Sequence, residues 1–190
     1  MSINFFSNYS KNLNIILDSA DWSSVEVLAQ DLKTCWVNGN NVFLCGNGGS
    51  AGNASHLAND FIYGVAKKKG EGIKSISLSD NSSIITCLAN DVGYENVFSE
   101  QLAVLGNKGD ILIALSGSGN SSNIISVIHE AHNLGIKSHA ILGFDGGECK
   151  KIVNNAIHFD INDMQLSEDL QLIVGHMLMK WLYRNKTIQV

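Results

Sequence analysis

Apolar residues follow two rhythms along this chain. Up to residue 36 they fall at helical spacing, first Phe5, Phe6, Tyr9, Leu13, Ile16 and Leu17, then Trp22, Val25, Leu28, Leu32 and Trp36. Two helices follow, with Asp21 placed to cap the second and Gly39 to close it in the left-handed conformation that glycine tolerates. From Val42 onward, short apolar runs alternate with helix-length segments. The pattern predicts a strand opening at Val42, further strands over 73–78, 111–115, 138–142 and 156–159, and helices over 82–88, 97–105, 123–134 and 166–183. Alternation of this kind implies an α/β fold, a doubly wound parallel sheet flanked by helices, with ligands beyond the carboxyl ends of the strands. No repeat or linker divides the chain. The helical segment 1–40 is read as part of the same domain as 41–190.

Two junctions between strand and helix are dense in small polar residues. The run from Val42 ends in Gly46, Asn47, Gly48, Gly49 and Ser50, and the strand over 111–115 ends in Ser116, Gly117, Ser118, Gly119, Asn120 and Ser121. Glycines let the backbone approach a ligand closely, and the helix that follows offers unpaired N–H groups and the positive end of its dipole to an anion. Taken alone, one such turn occurs in any α/β protein; two together suggest one anion held from both sides by amides and serine hydroxyls. No lysine follows the first turn to make a P-loop, and neither turn has the GxGxxG spacing. A small phosphorylated ligand therefore suits the chain better than a nucleotide.

Composition narrows the reading further. The 190 residues are 45% hydrophobic, enough to bury the core of one domain, and the net charge of −5 argues against a nucleic-acid or membrane-surface partner. Lys67, Lys68 and Lys69 form the one basic run, read as a solvated loop. Cys35, Cys45, Cys87 and Cys149 lack CxxC spacing and are read as reduced thiols, with Cys45 and Cys87 expected in the core. The N-terminus shows no leader pattern and no segment has the length of a membrane span, so a cytoplasmic protein is expected. Proline is absent, so turns depend on the 18 glycines and on Asn and Asp, as at Asp145-Gly146-Gly147.

His56 and Asp60, four residues apart, project from one helix face, where they can share a metal ion or a proton path or simply form a surface pair. The last helix carries Glu168, Asp169 and His176 among Leu170, Leu172, Ile173, Val174, Met177 and Leu178, and polar groups in such a setting are costly unless paired or ligating. His129, His132, His139 and His158 are read as structural or surface residues.

GNGGS at 46–50 and SGSGNS at 116–121, where STSGNS is usual, resemble the sugar isomerase (SIS) domain and in particular its phosphoheptose isomerases. The resemblance runs from about Asn41 to about Trp181. It implies an aldose–ketose isomerisation of a small phosphorylated sugar through an enediol, zinc as cofactor, and a homo-oligomer, typically a tetramer. It places the phosphate on Gly48, Gly49, Ser50, Ser116, Gly117, Ser118 and Ser121, and the sugar hydroxyls on Asn90 and Asp91, with Asn47 also at the ligand. It assigns the metal to His56, Asp60, Glu168 and His176, one zinc per subunit. Asp60 stands where Glu is usual and Glu168 where Gln is usual; both remain oxygen donors that zinc accepts. The base is then Asp60 or Glu168, His176 is the acid, and Asp169 is the alternative to Glu168, since it lies seven residues from His176 rather than eight. A non-catalytic scaffold like the DnaA initiator-associating protein and a phosphosugar-sensing module are the other readings. Convergence of the acid/base and metal set on the phosphate turns separates an enzyme from both. The apolar surplus at Phe5, Phe6, Trp22, Trp36, Met177, Met179 and Trp181 is expected at subunit interfaces.

Overall fold

The computed structural model describes residues 2–186. Helices α1 (Ser2–Ser19) and α2 (Ser23–Asn38) come first, followed by β1 (Asn41–Gly46), α3 (Gly49–Asn59), β2 (Lys74–Ser77), α4 (Ser82–Asp91), α5 (Ser99–Leu105), β3 (Ile111–Ser116), α6 (Ser122–Asn133), β4 (Lys137–Leu142), α7 (Cys149–Ile152), β5 (Asn155–His158) and α8 (Met164–Arg184). The strands form one parallel sheet in the order β2-β1-β3-β4-β5. The expected strands and helices are all present, with ends displaced by a few residues. Helix α5 begins only at Ser99 because Gly93 (φ 97°) and a 3₁₀ turn, Tyr94–Asn96, occupy the approach to it. The short α7 and a single π-helical turn, Asp60–Gly64, leave no mark in the apolar spacing.

Side-chain alternation explains how the sheet is covered. Along β1, Val42 and Leu44 point to one face and Phe43 and Cys45 to the other, and all four are buried. The first face packs against α2, α3 and α8 through Leu28, Leu32, Leu57, Leu170, Val174 and Leu178. The opposite face packs against α5 and α6 through Leu102, Ile124, Val127 and Ile128. A right-handed crossover from β1 out to β2 and another from β3 towards β4 run in opposite directions along the sheet, so α3 and α6 fall on opposite faces. Strands buried on both faces read as near-continuous apolar runs, which is why strict alternation is missing from the sequence.

The start of α2 is pinned by Asp21, whose carboxylate accepts from the Ser23 N–H at 2.9 Å, and its end by Gly39 at φ 70°. Trp22 packs edge-on against Phe159 with ring centroids 6.4 Å apart, and Trp36 donates from Nε1 to the Glu71 carbonyl. Both, with Met179 and Trp181, lie partly buried against the chain's own core, whereas Phe5, Phe6 and Met177 are exposed. One core assignment is corrected. Cys45 is buried as expected, but Cys87 is exposed, because α4 lies on the surface with no fully buried residue and Cys87 sits on its outer side, 3.6 Å from Asp91 Oδ2. Among the described residues, no helix is long and apolar enough to cross a membrane.

Candidate active site

Strand order reverses between β1 and β3, and at such a point the loops beyond the carboxyl ends part to leave a crevice. The two glycine- and serine-rich turns leave these two strands. Gly46 pairs with Leu115, so the turns emerge side by side at the same height. A reciprocal amide pair then ties them together: Asn47 Nδ2 donates to Asn123 Oδ1 at 2.8 Å and Asn123 Nδ2 returns to Asn47 Oδ1 at 2.9 Å, with Asn123 buried. The Tyr94 hydroxyl also donates to Asn47 Oδ1, at 2.9 Å. Asn47 thus holds the shape of the first turn. Asn90 and Asp91 close α4 a few residues ahead of Tyr94 and hydrogen-bond to each other at 2.8 Å.

The serines differ in what their hydroxyls already do. Ser50, in the first turn of α3, is buried and accepts from Gln171 Nε2 at 3.0 Å. Ser116, also buried, accepts from the Gly119 N–H, and Ser118 accepts from the Asn120 N–H, so both shape their own turn. Ser121 occupies the N-cap of α6 without capping it through its side chain. Gly48, at φ 56°, precedes α3, which no side chain caps. Gly117 is where a threonine is usual in the resembling family, and here Met164 fills that space: a Cβ on Gly117 would lie 2.5 Å from its sulfur.

Helices α3 and α8 pack side by side and run the same way. Their contacts advance together: Glu168 lies against Gly49, Asn53 bonds Gln171, Leu57 packs on Gly175 and Met179 lies by Gly64. At Gly175 the approach is so close that a Cβ there would sit 2.1 Å from Leu57 Cδ2. The residues next to that contact are His56 and His176, whose Nε2 atoms are 2.9 Å apart. Asp60 Oδ2 completes the group, 3.5 Å from His56 Nε2 and 3.6 Å from His176 Nε2. Asp60 opens the π-helical turn, a feature common where a helix must re-aim a functional side chain. One side-chain nitrogen or oxygen from each of the three lies within 4.8 Å of the others, close enough to share an ion.

Glu168 stands apart from this trio. Eight residues before His176, it is roughly 12 Å along the helix axis, and its carboxylate packs on the Cα of Gly49 at the first glycine-rich turn. Asp169 faces elsewhere. It accepts from the Tyr9 hydroxyl at 2.5 Å, tying α1 to α8, and this bond pushes the Tyr9 phenol up to about 12. Of the two acidic neighbours, Glu168 therefore faces α3 and Asp169 faces α1. Asn53, Gln171, Tyr94 and Asn123 escape sequence reasoning, since single amides and a lone tyrosine carry no spacing signal. Only the position of Gln171, on the Gly175 side of an otherwise apolar helix, marks it as a buried polar group in need of a partner.

Residues 4–143 match the SIS domain. The chain is 37% identical over 162 residues to a phosphoheptose isomerase of Helicobacter pylori, covering 85% of this chain and 82% of that one. It is 32% identical to the phosphoheptose isomerase of Aneurinibacillus thermoaerophilus over 93% of this chain and 90% of that one. The solved structure of a phosphoheptose isomerase from Francisella tularensis superposes with a TM-score of 0.89 at 26% identity, covering 97% of each chain. The chain belongs to the SIS domain family, as one of its phosphoheptose isomerases.

Proposed function

We propose that the chain interconverts sedoheptulose 7-phosphate and D-glycero-D-manno-heptose 7-phosphate by proton transfer through an enediol. The observation that carries this reading is a separation. From Gly49 to His56 is seven residues of α3, roughly 10 Å, and an extended heptose spans on the order of 9 Å from C1 to its terminal phosphorus by ordinary bond lengths. With the phosphate on the turns, C1 and C2 fall at His56, Asp60 and His176.

In this reading the amides of Gly48, Gly49 and Gly117 and the hydroxyls of Ser50, Ser116, Ser118 and Ser121 hold the phosphate, while Asn90 and Asp91 meet sugar hydroxyls. Asp60 is the base: Oδ2 faces the two imidazoles, and Oδ1 is left to take the proton from one carbon and return it to its neighbour. Without a metal, His176 would supply a proton to the carbonyl oxygen as the enediol forms. Glu168 lies at the phosphate end, over Gly49.

The trio also fits zinc. Tetrahedral ligands about 2.0–2.1 Å from zinc are about 3.3 Å from one another, close to the separations of 2.9, 3.5 and 3.6 Å found here. Two imidazoles and a carboxylate are its usual donors. Bound there, zinc would polarise the substrate carbonyl as a Lewis acid. Glu168, the fourth ligand implied by the resemblance, would have to leave Gly49 to join the set.

The subunit is proposed to assemble, as a tetramer. Phe5, Phe6 and Ile15 are exposed on α1, and Ile62, Tyr63 and Met177 are exposed around the histidine cluster. Free thiols at all four cysteines suit a cytoplasmic setting.

Incubation with sedoheptulose 7-phosphate should yield the aldose, and chelation should stop turnover until zinc is restored. Full turnover in stripped protein would remove the metal from the mechanism, and an active His176→Ala variant would remove the cluster. Light scattering on the dilute protein should give a mass of several chains; a monomer at assay concentration would refute the assembly.

A further inference from the structure

The buried amide of Gln171 joins α8 to the phosphate turn, and its orientation can be deduced from one fixed point. The backbone carbonyl of Glu168 can only accept. The atom of Asn53 that meets it at 3.0 Å is therefore the amide nitrogen, Nδ2. The same nitrogen lies 2.9 Å from Gln171, so Gln171 presents its oxygen to Asn53 and its nitrogen to Ser50. Gln171 Nε2 then occupies a lone pair of Ser50 Oγ at 3.0 Å, in a contact buried from solvent at both residues. A hydroxyl that accepts from one side directs its proton to another. Among the described residues, this is the one hydrogen bond that Ser50 Oγ makes, and its own proton meets no protein acceptor.

We infer that Gln171, held by Asn53, is a positioning residue that fixes the Ser50 hydroxyl as a donor towards the phosphate of the sugar. The inference rests on the phosphate site proposed above and adds to it a part for α8, the helix that also carries His176. Without the amide, Ser50 can spend its proton inward and present a lone pair to the anion, which repels it. Preset donors avoid that reorientation and the loss of a charge-assisted hydrogen bond.

The test compares Ser50→Ala, Gln171→Met and the double variant in the zinc-loaded enzyme. It reads KM and kcat for sedoheptulose 7-phosphate and the inhibition constant of inorganic phosphate. Loss of one hydrogen bond to a charged group corresponds to about tenfold in affinity. Gln171→Met should raise KM and the phosphate inhibition constant by about that factor, with kcat within about twofold, and should cost nothing further in the Ser50→Ala background. If Gln171→Met does not fold, Gln171→Glu keeps the shape, reverses the polarity and should show at least the same loss, again contingent on Ser50. Unchanged phosphate inhibition in the Gln171 variants while Ser50→Ala weakens it would overturn the inference and leave the phosphate site standing. So would losses that multiply in the double variant. If Ser50→Ala itself leaves phosphate inhibition unchanged, the phosphate site falls and the inference with it.

Discussion

Replacing Gly175 by alanine would put a methyl carbon 2.1 Å from Leu57 Cδ2 and 2.7 Å from Cδ1, where an ordinary carbon contact is about 3.5–4.0 Å. Leu57 is fully buried beneath α8, so either its rotamer or the spacing of α3 and α8 must give by more than about 1 Å. Overpacking of that kind costs roughly 1–3 kcal/mol, against about 1 kcal/mol gained by removing glycine from a helix interior. Gly175→Ala alone should thus destabilise by up to about 2 kcal/mol. Leu57→Ala, which empties the space on the other side, should cost roughly 2–5 kcal/mol. In the double variant the new methyl enters the space that Leu57 leaves, so the combined loss should fall short of the sum by about 1–3 kcal/mol. Urea denaturation with a chelator present measures all three without a contribution from metal binding. Zinc affinity provides a second readout, because His56 and His176 flank the contact: Gly175→Ala should weaken zinc, and Leu57→Ala in the same chain should restore part of the loss. Losses that add within about 0.5 kcal/mol would refute the argument that this contact sets the helix spacing.

Three further outcomes follow from single side chains. His139 is fully buried, facing Asp31 at 3.2 Å, Lys137 beyond it and the Asn155 amide at 3.1 Å, and burial lowers its affinity for a proton. The unfolded chain then binds the proton first, so stability should fall as pH drops below about 6.5, and His139→Gln should flatten that part of the urea midpoint profile; an unchanged slope would show that His139 binds its proton equally in the folded and unfolded chain. Cys87 should be the one thiol to react with a disulfide reagent in the native protein, slowly, because Asp91 raises it; Cys35 and Cys149 are pushed by burial to about 12 and about 11, and Cys45 higher still. Two or more native thiols reacting would contradict this placement. Gly49→Ala would bring a methyl onto the Glu168 carboxylate, a flexible group that can swing aside, so thermal stability should change little while KM for the sugar phosphate rises; an unchanged KM would detach Glu168 and Gly49 from the site.

What the sequence determined by itself was local. The run from Val42 to Cys45 is a strand, and the residues after it a turn, because an apolar stretch must be buried and glycines permit the tight exit that Gly48 makes at φ 56°. The helical spacing of Val25, Leu28 and Leu32 likewise determines which face of α2 is buried. His56 and Asp60 share a face because a helix turns every 3.6 residues. Tertiary structure decided which local faces meet. Glu168 and Asp169 are neighbours in sequence with the same chemistry, and only the packing of α8 between α1 and α3 gives one to Gly49 and the other to Tyr9. Cys87 looks like a core residue in a helical pattern, yet α4 rides on the surface, where burial depends on what lies opposite rather than on spacing. The amides of Asn47 and Asn123, 76 residues apart, could not be matched in advance, because a hydrogen bond needs an angstrom-level approach that no periodicity specifies. His56 meets His176 for the same reason: the distance between two helices is set by what their interface lacks, here the side chain of Gly175.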